Sequence, residues 1–502
     1  MAETGMKKTL TLTGVTVNAM ALIAPGAFLW ITFQVQAAQV DMAGKTTAMD
    51  MWSGLFFALI LCFLTAISYA QLAEKYPEAG TGSSYYFTEQ AFLSEKKLSP
   101  YARVFKMVVG WITHLYYWVY PGVMVAMFAV LITYIFGQFG VSLTPAVQIA
   151  IAVVFAFACG YVAFRGINGS TTTSIIINII QITALVFVTV LALIYRFTNP
   201  QHVTFVHQSL ASAVMPHSLA NMFFQATIAI LVLVGFETTT ALAAEAQSPK
   251  HVSRGVLISL IIQGLICYLF EYFGANVWLN SGYTQTVNGA TVSGIAAAAA
   301  SGAPIGDMCK ILGDTLLNHS GFILMIIIAI TVVIAVFGTT LACMNTAVRV
   351  TYAMAQDGEV PSVLNALHHH HATPYTAVWV LTVISAVIGI FGVLSITGLT
   401  AVTLLSNFGT FLVYGLTCIV TLIAFLRHPG RNILTHIVVP VLGVLANLGM
   451  LLAIVYMGIL GGGVTQVASM IAIVATAAWF VIGIAYFVAN SRATGRKIVV
   501  SA

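Results

Sequence analysis

Apolar residues run through this chain in blocks of about twenty or more, separated mostly by short polar connections. A helix of that length covers the hydrocarbon core of a bilayer, about 30 Å at 1.5 Å per residue. By that measure the pattern predicts twelve spanning helices. The first six fall near 12–36, 51–74, 104–136, 146–164, 172–196 and 218–243; the second six near 256–280, 321–352, 375–393, 397–426, 434–459 and 463–488. Two connections, 75–103 and 281–320, are longer. The second contains an Ala-rich stretch from Gly294 to Gly302 that predicts a helix lying outside the bundle.

Composition agrees with the pattern. Of 502 residues, 60% are hydrophobic and 7% charged, with a mean hydropathy of +0.98. A soluble domain carries about 25% charged residues, so this chain cannot cover a water-facing surface. Disordered, collagenous, disulfide-scaffold and nucleic-acid-binding classes are excluded by the same figures. The six cysteines show no CxxC-type spacing, and five lie in apolar runs, so neither a disulfide framework nor a metal site is implied. The histidine run His368–His371 falls on a connection and reads as a solvated loop. No cofactor is expected.

Charge placement orients the spans. With the N-terminus inside, sixteen of the nineteen Lys and Arg residues fall on inside segments. Only Lys45, Arg196 and Lys310 fall outside. This is the positive-inside bias of an inner-membrane protein with both termini in the cytoplasm. The apolar run after Lys7 and Lys8 is too long for a signal peptide and reads as the first span.

Two spans carry breaks. Ile23-Ala24-Pro25-Gly26-Ala27 interrupts the first, and Val234-Gly235-Phe236-Glu237 followed by three threonines interrupts the sixth. Proline removes a backbone donor and glycine is permissive, so both segments favour unwinding. Breaks five helices apart fit a transporter built of two five-helix repeats.

Three motifs then resemble one family. Lys75-Tyr76-Pro77-Glu78-Ala79-Gly80-Thr81-Gly82-Ser83-Ser84-Tyr85 is similar to the P-x-A-G-G-x-Y segment of amino acid–polyamine–organocation (APC) permeases. Gly235-Phe236-Glu237 through Glu245 to Lys250 is similar to their G-F-E…E-x-x-x-P-K run. Arg349 to Pro361, followed by Thr373-Pro374, resembles their R-x-x-Y-A-M-A-R-D-G-x-x-P…T-P signature. The resemblance covers essentially the whole chain. It implies an all-α polytopic membrane protein forming a single transporter domain. Inverted repeats would cover 12–196 and 218–426 with helices 1 and 6 broken, and two C-terminal helices would occupy 434–488.

The resemblance further implies alternating-access transport of an amino acid or related amine. Carried over by position, the backbone from Ile23 and Ala24 through Pro25 and Gly26 to Ala27 would take the substrate carboxylate. Val234, Gly235, Phe236 and Glu237 would take its amine. Tyr117 and Pro121 on helix 3, Cys343 on helix 8, and Asn407 and Thr410 on helix 10 would wall the site. Coupling to a proton, to sodium or to a counter-substrate stays open. Thr339 and Thr340 correspond to helix 8 hydroxyls that join an ion site in sodium-coupled relatives, although such residues also serve helix packing. The lysine of proton-coupled members is Gln181 here, which puts coupling by that route in doubt, and the family's A-R-D-G arginine is Gln356.

Few ionisable groups lie within the spans: Glu237, Glu271 and His114. Two acids without a cation suit a cationic substrate, so a polyamine or basic amino acid exchanger is the alternative reading. Glu271 either stays protonated as a hydrogen-bond donor or lines the outer vestibule; its flanking Tyr268 and Tyr272 favour the second. A membrane-embedded enzyme would need clustered acid–base or metal ligands at one depth, and a channel would need repeated polar rings; neither pattern is present.

Overall fold

A backbone in hydrocarbon can pair its N–H and C=O groups only within its own segment, so apolar runs become helices. The computed structural model describes residues 10–166, 171–203, 214–243, 245–287, 289–371 and 373–499; Lys7 and Lys8 lie outside them. The first predicted span consists of α1 (Leu12–Ile23) and α2 (Pro25–Ala37). Next come α3 (Met51–Lys75), the connecting helix α4 (Ser84–Ser94), α5 (Ala102–Gln138), α6 (Pro145–Phe164) and α7 (Thr171–Thr198). The sixth span begins as α8 (Leu219–Ala229), tightens into a 3-10 turn at Ile230–Val232 and resumes as the short α9 (Thr238–Ala241). After α10 (Pro249–Trp278), strands β1 (Thr284–Val287) and β2 (Ala290–Ser293) pair antiparallel, and α11 (Ile295–Ala300) and α12 (Pro304–Leu316) complete a lid. The remaining spans are α13 (Gly321–Gln356), α14 (Tyr375–Val393), α15 (Ile396–Phe425), α16 (Val439–Leu460) and α17 (Gly463–Thr494).

Among the described residues, ten helices are long and apolar enough to cross a membrane, and Leu12–Ile23 and Leu219–Val232 are apolar but shorter. The two short ones are the first halves of the interrupted spans, which accounts for the difference from twelve unbroken helices. The α10 helix starts at Pro249, ahead of the predicted 256, because Ser248 caps it and accepts from the Lys250 N–H at 3.3 Å. Proline at the first helical position reinforces that start. The Ala-rich helix outside the bundle is present as α11. The hairpin beside it was not anticipated, although Asn288-Gly289 between β-branched residues is a hairpin signal.

Polar contacts fasten both ends of the bundle. At the lid end, the Asp307 carboxylate of α12 accepts from the hydroxyls of Tyr134 (2.8 Å), Tyr283 (2.5 Å) and Ser301 (2.6 Å) and from Gln285 Nε2 (2.9 Å). At the opposite end the three sequence motifs meet. Ser83 bonds Thr240 at 2.6 Å, Tyr85 donates to Asp357 at 2.9 Å, and Arg349 pairs with Glu245 at 3.2 Å. The Lys106 ammonium lies between Glu89 (2.8 Å) and Asp357 (2.7 Å), and Arg103 reaches Glu359 at 2.8 Å.

The start of the interrupted sixth span is held by a buried acid. Asp50, just before α3, accepts from the backbone N–H groups of His217 (2.6 Å) and Ser218 (3.2 Å), immediately ahead of α8. These donors have no intrahelical partner, and a carboxylate also favours the positive end of the helix dipole. Asp50→Ala should therefore lower stability by about 1–2 kcal/mol, read as a reduced unfolding temperature of the purified protein in detergent. Asp50→Asn, which keeps an acceptor, should lose less.

Candidate functional site

The break in the first span is built by one residue. Ala24 adopts φ 35° and ψ 62°, the left-handed region, and ends α1 by donating its N–H to Met20 O at 3.1 Å. Its own carbonyl accepts from Ala27 N at 2.9 Å and so opens α2, with Pro25 at the first position. For a residue with a Cβ this conformation costs about 1–2 kcal/mol, so the surroundings must hold it. Three neighbouring spans do so at the end of α1. Asn178 of α7 donates to Val17 O at 3.0 Å, Gln263 of α10 to Met20 O at 2.9 Å, and Thr339 of α13 to Ala21 O at 3.2 Å.

The break in the sixth span is looser. From Ile230 to Glu237 the backbone proceeds by tight turns, with Leu233 N on Ile230 O at 2.9 Å and Thr238 N on Gly235 O at 3.2 Å. Gly235 has φ 129° and lies directly on the first break. A Cβ there would stand 2.8 Å from Ile23 N and 3.0 Å from the Leu22 carbonyl carbon. Only glycine meets both the conformation and the close approach. The two interruptions predicted from sequence are thus in contact.

Glu237 is buried and accepts four hydrogen bonds, about the full capacity of a carboxylate. Tyr116 and Tyr117 of α5 donate to Oε1 at 2.8 and 3.2 Å. Tyr414 of α15 donates to Oε2 at 2.7 Å, and the Gly235 N–H donates to the same oxygen at 3.0 Å. Phe236 packs on Tyr414, with ring centroids 5.3 Å apart. One carboxylate therefore joins spans 3, 6 and 10 at the break.

The other sequence candidates divide. Pro121 lies inside α5 and cannot donate to Tyr117 O one turn earlier; the Cys343 thiol of α13 donates to that carbonyl instead, at 3.8 Å. Pro121, Tyr117 and Cys343 thus form one contact between spans 3 and 8. Gln181 stands beside Gly26, where a Cβ would come within 3.1 Å of its Oε1. Both ends of its buried amide are without a hydrogen-bond partner, and it lines a cavity of about 20 Å³ with Gly26, Trp30 and Phe270. That is room for one water molecule. Asn407 donates to Thr227 O of α8 at 2.7 Å, ten residues before Glu237 in the sixth span. Thr340 and Thr410 bond back to their own helices, at Val336 O and Ser406 O.

Glu271 is buried in this structure, with Gln36 of α2 as a polar neighbour and Oε1 unpaired. Its flanking rings turn elsewhere, Tyr272 to Arg196 and Trp52, and Tyr268 to Phe56. His114 bonds Thr351 at 2.9 Å and lies against the Trp118 ring, with centroids 4.8 Å apart. Sequence reasoning missed Tyr116 and Tyr414. The first is the immediate neighbour of Tyr117, and the second lies one turn beyond Thr410.

Tyr414→Phe should cost about 1–3 kcal/mol of stability, because a buried carboxylate oxygen loses a donor. In a Glu237→Gln background the same change should cost less, and a double-mutant cycle of unfolding in detergent reads the difference. Equal costs in the two backgrounds would separate Tyr414 from Glu237 energetically.

Comparison with known proteins places this geometry. The family model for "Amino acid permease" matches residues 8–489. The branched-chain amino acid permease BcaP of Bacillus subtilis (strain 168) is 26% identical over 343 residues, 64% of this chain and 63% of that protein. The low-affinity putrescine importer PlaP of Escherichia coli (strain K12) is 24% identical over 270 residues, 53% of this chain and 54% of that protein. The matched stretches thus span between about half and just under two thirds of these curated relatives. With the family match running over nearly every described residue and two interrupted helices meeting at its centre, the chain belongs to the amino acid permease family, within the APC superfamily.

Proposed function

We propose that the protein is a secondary transporter that moves an amino acid or a related amine across the inner membrane by alternating access. The observation that carries this reading is the direct contact of two interrupted helices, with Gly235 seated on Leu22 and Ile23. By position, the positive end at the start of α2 suits a substrate carboxylate, and the break from Val234 to Glu237 suits its amine. Residues 12–196 and 218–426 are read as two five-helix repeats related by inversion, with 434–488 as an added pair of helices. The sixteen-to-three distribution of Lys and Arg supports cytoplasmic termini.

The named relatives support two substrate classes, a zwitterionic amino acid and a cationic amine. A polyamine or basic amino acid exchanger is the second reading. It is favoured by the putrescine importer among the relatives. For coupling, exchange against a counter-substrate suits a site whose proton-carrying lysine is replaced by Gln181.

Uptake of radiolabelled leucine and putrescine into liposomes holding the purified protein tests the proposal. The internal conditions should be varied among a pH gradient, a sodium gradient and preloaded counter-substrate. Saturable uptake of one compound is expected under at least one condition; absence under all three would overturn the reading. Gly26→Leu should reduce uptake tenfold or more, which corresponds to about 1.4 kcal/mol, because the added side chain enters the space held by Gln181. Gln181→Lys should alter the pH dependence of uptake.

A further inference from the structure

We propose that Glu271 is a proton-operated latch on the lid side of the bundle. A proton taken up from that side lets α2 close against α8 and α10, and ionisation of Glu271 holds them apart. This rests on the alternating-access reading, under which the lid side faces out and α2 shifts when the site opens to that side. Glu271 stands seven residues before the end of α10 at Trp278, beside Gln36 in the last turn of α2. Each is only 1% exposed. The interface around them is aromatic: Phe33 of α2 packs on Phe270 and Trp278, with ring centroids 6.2 and 3.9 Å apart.

Nothing at this interface neutralises a negative charge. No Lys, Arg or His is ion-paired with Glu271 among the described residues. On its own helix the titratable neighbours are Cys267, Tyr268 and Tyr272, and α2 supplies none. From α7 come Tyr195 and Arg196, the latter bonded to the Tyr272 hydroxyl at 3.2 Å. Ahead of α3, Asp50 holds His217; on α12, Cys309 is buried and Asp307 already accepts four hydrogen bonds. An ionised carboxylate so placed costs several kcal/mol. The closed arrangement therefore holds Glu271 as a neutral acid.

Closure also strands polar atoms. Glu271 Oε1, Gln36 Nε2 and Gln225 Oε1 of α8 are buried without a partner, although Gln225 Nε2 reaches the Gln36 carbonyl at 2.9 Å. Each such atom costs about 1–3 kcal/mol, which water restores when α2 moves away. Ala24 alone joins α2 to α1, so the break supplies the hinge. Once hydrated, Glu271 is ionised above about pH 4.3, and closing must then take up one proton. Each unit of external pH above that range shifts the equilibrium about tenfold toward the open form. The proton enters and leaves on one side, so it controls closure and is not carried across with the substrate.

Two measurements on wild type and Glu271→Gln test the latch. Infrared spectra of the purified proteins at about pH 6 should show a protonated carboxylic acid in wild type that the variant lacks, and its band should fade as pH rises. In liposomes, raising external pH from about 6 to about 8 at constant internal pH should slow wild-type uptake about tenfold or more. Uptake by Glu271→Gln, which cannot ionise, should stay within about twofold over the same range. The variant should unfold at no lower temperature than wild type, because its amide buries no charge. Identical infrared spectra at every pH, or the same external-pH dependence in both proteins, would overturn the proposal. So would a dependence on internal pH that the variant loses, since the proton would then cross the membrane. The infrared difference without uptake of any compound would sink the transport reading and leave the neutral acid standing. Uptake without the infrared difference would sink the latch alone.

Discussion

A chain inside a bilayer has no water to satisfy its backbone, and the structure turns on how two interrupted helices meet that demand. In the first span, the penalty is limited by confining the break to one left-handed residue, Ala24, whose N–H and carbonyl each close a turn. The carbonyls near the end of α1 then receive Asn178, Gln263 and Thr339 from three different helices. In the sixth span, Glu237 turns back onto the Gly235 N–H and is itself held by three tyrosines. Spans 3, 5, 7, 8 and 10 are thereby tied to the breaks by polar contacts rather than by apolar packing alone. Contacts of this kind can be exchanged, whereas a continuous helix offers none to exchange.

The family motifs acquire physical roles within this frame. None of the three sits wholly at the breaks; they converge at the end of the bundle opposite the lid. Tyr85 and Lys106 meet Asp357, and Glu245 meets Arg349. The G-F-E motif alone spans both regions, with Glu237 at the break and Thr240 bonded to Ser83 of the first motif. The sixth span thus connects the centre of the molecule to the closure at one end through one short stretch of chain.

Much of this was legible in the sequence because hydrocarbon imposes a simple length rule. The spans fall close to their predicted limits, and the Pro-Gly and Gly-Phe-Glu segments mark both breaks. Helix ends set by capping, such as Pro249 after Ser248, were less legible because the polar first turns of α10 carry no apolar signal. Contacts across the bundle were not legible at all. Tyr116 and Tyr414 lie nearly three hundred residues apart, and only the fold brings both hydroxyls to one carboxylate. Glu271 was harder to read. Its aromatic neighbours in sequence suggested a vestibule, but on a helix adjacent residues point in different directions, and its carboxyl is buried beside Gln36.

If contact between the two breaks is the centre of the mechanism, their backbone amides should be the least protected within the spans and should respond to ligand together. Hydrogen–deuterium exchange of the purified protein, read on peptides covering residues 21–28 and 231–238, tests this directly. Both segments should exchange faster than the interior of α13, and both should slow when a transported compound is added. Exchange as slow as in α13 at both breaks, unchanged by any transported compound, would contradict the account.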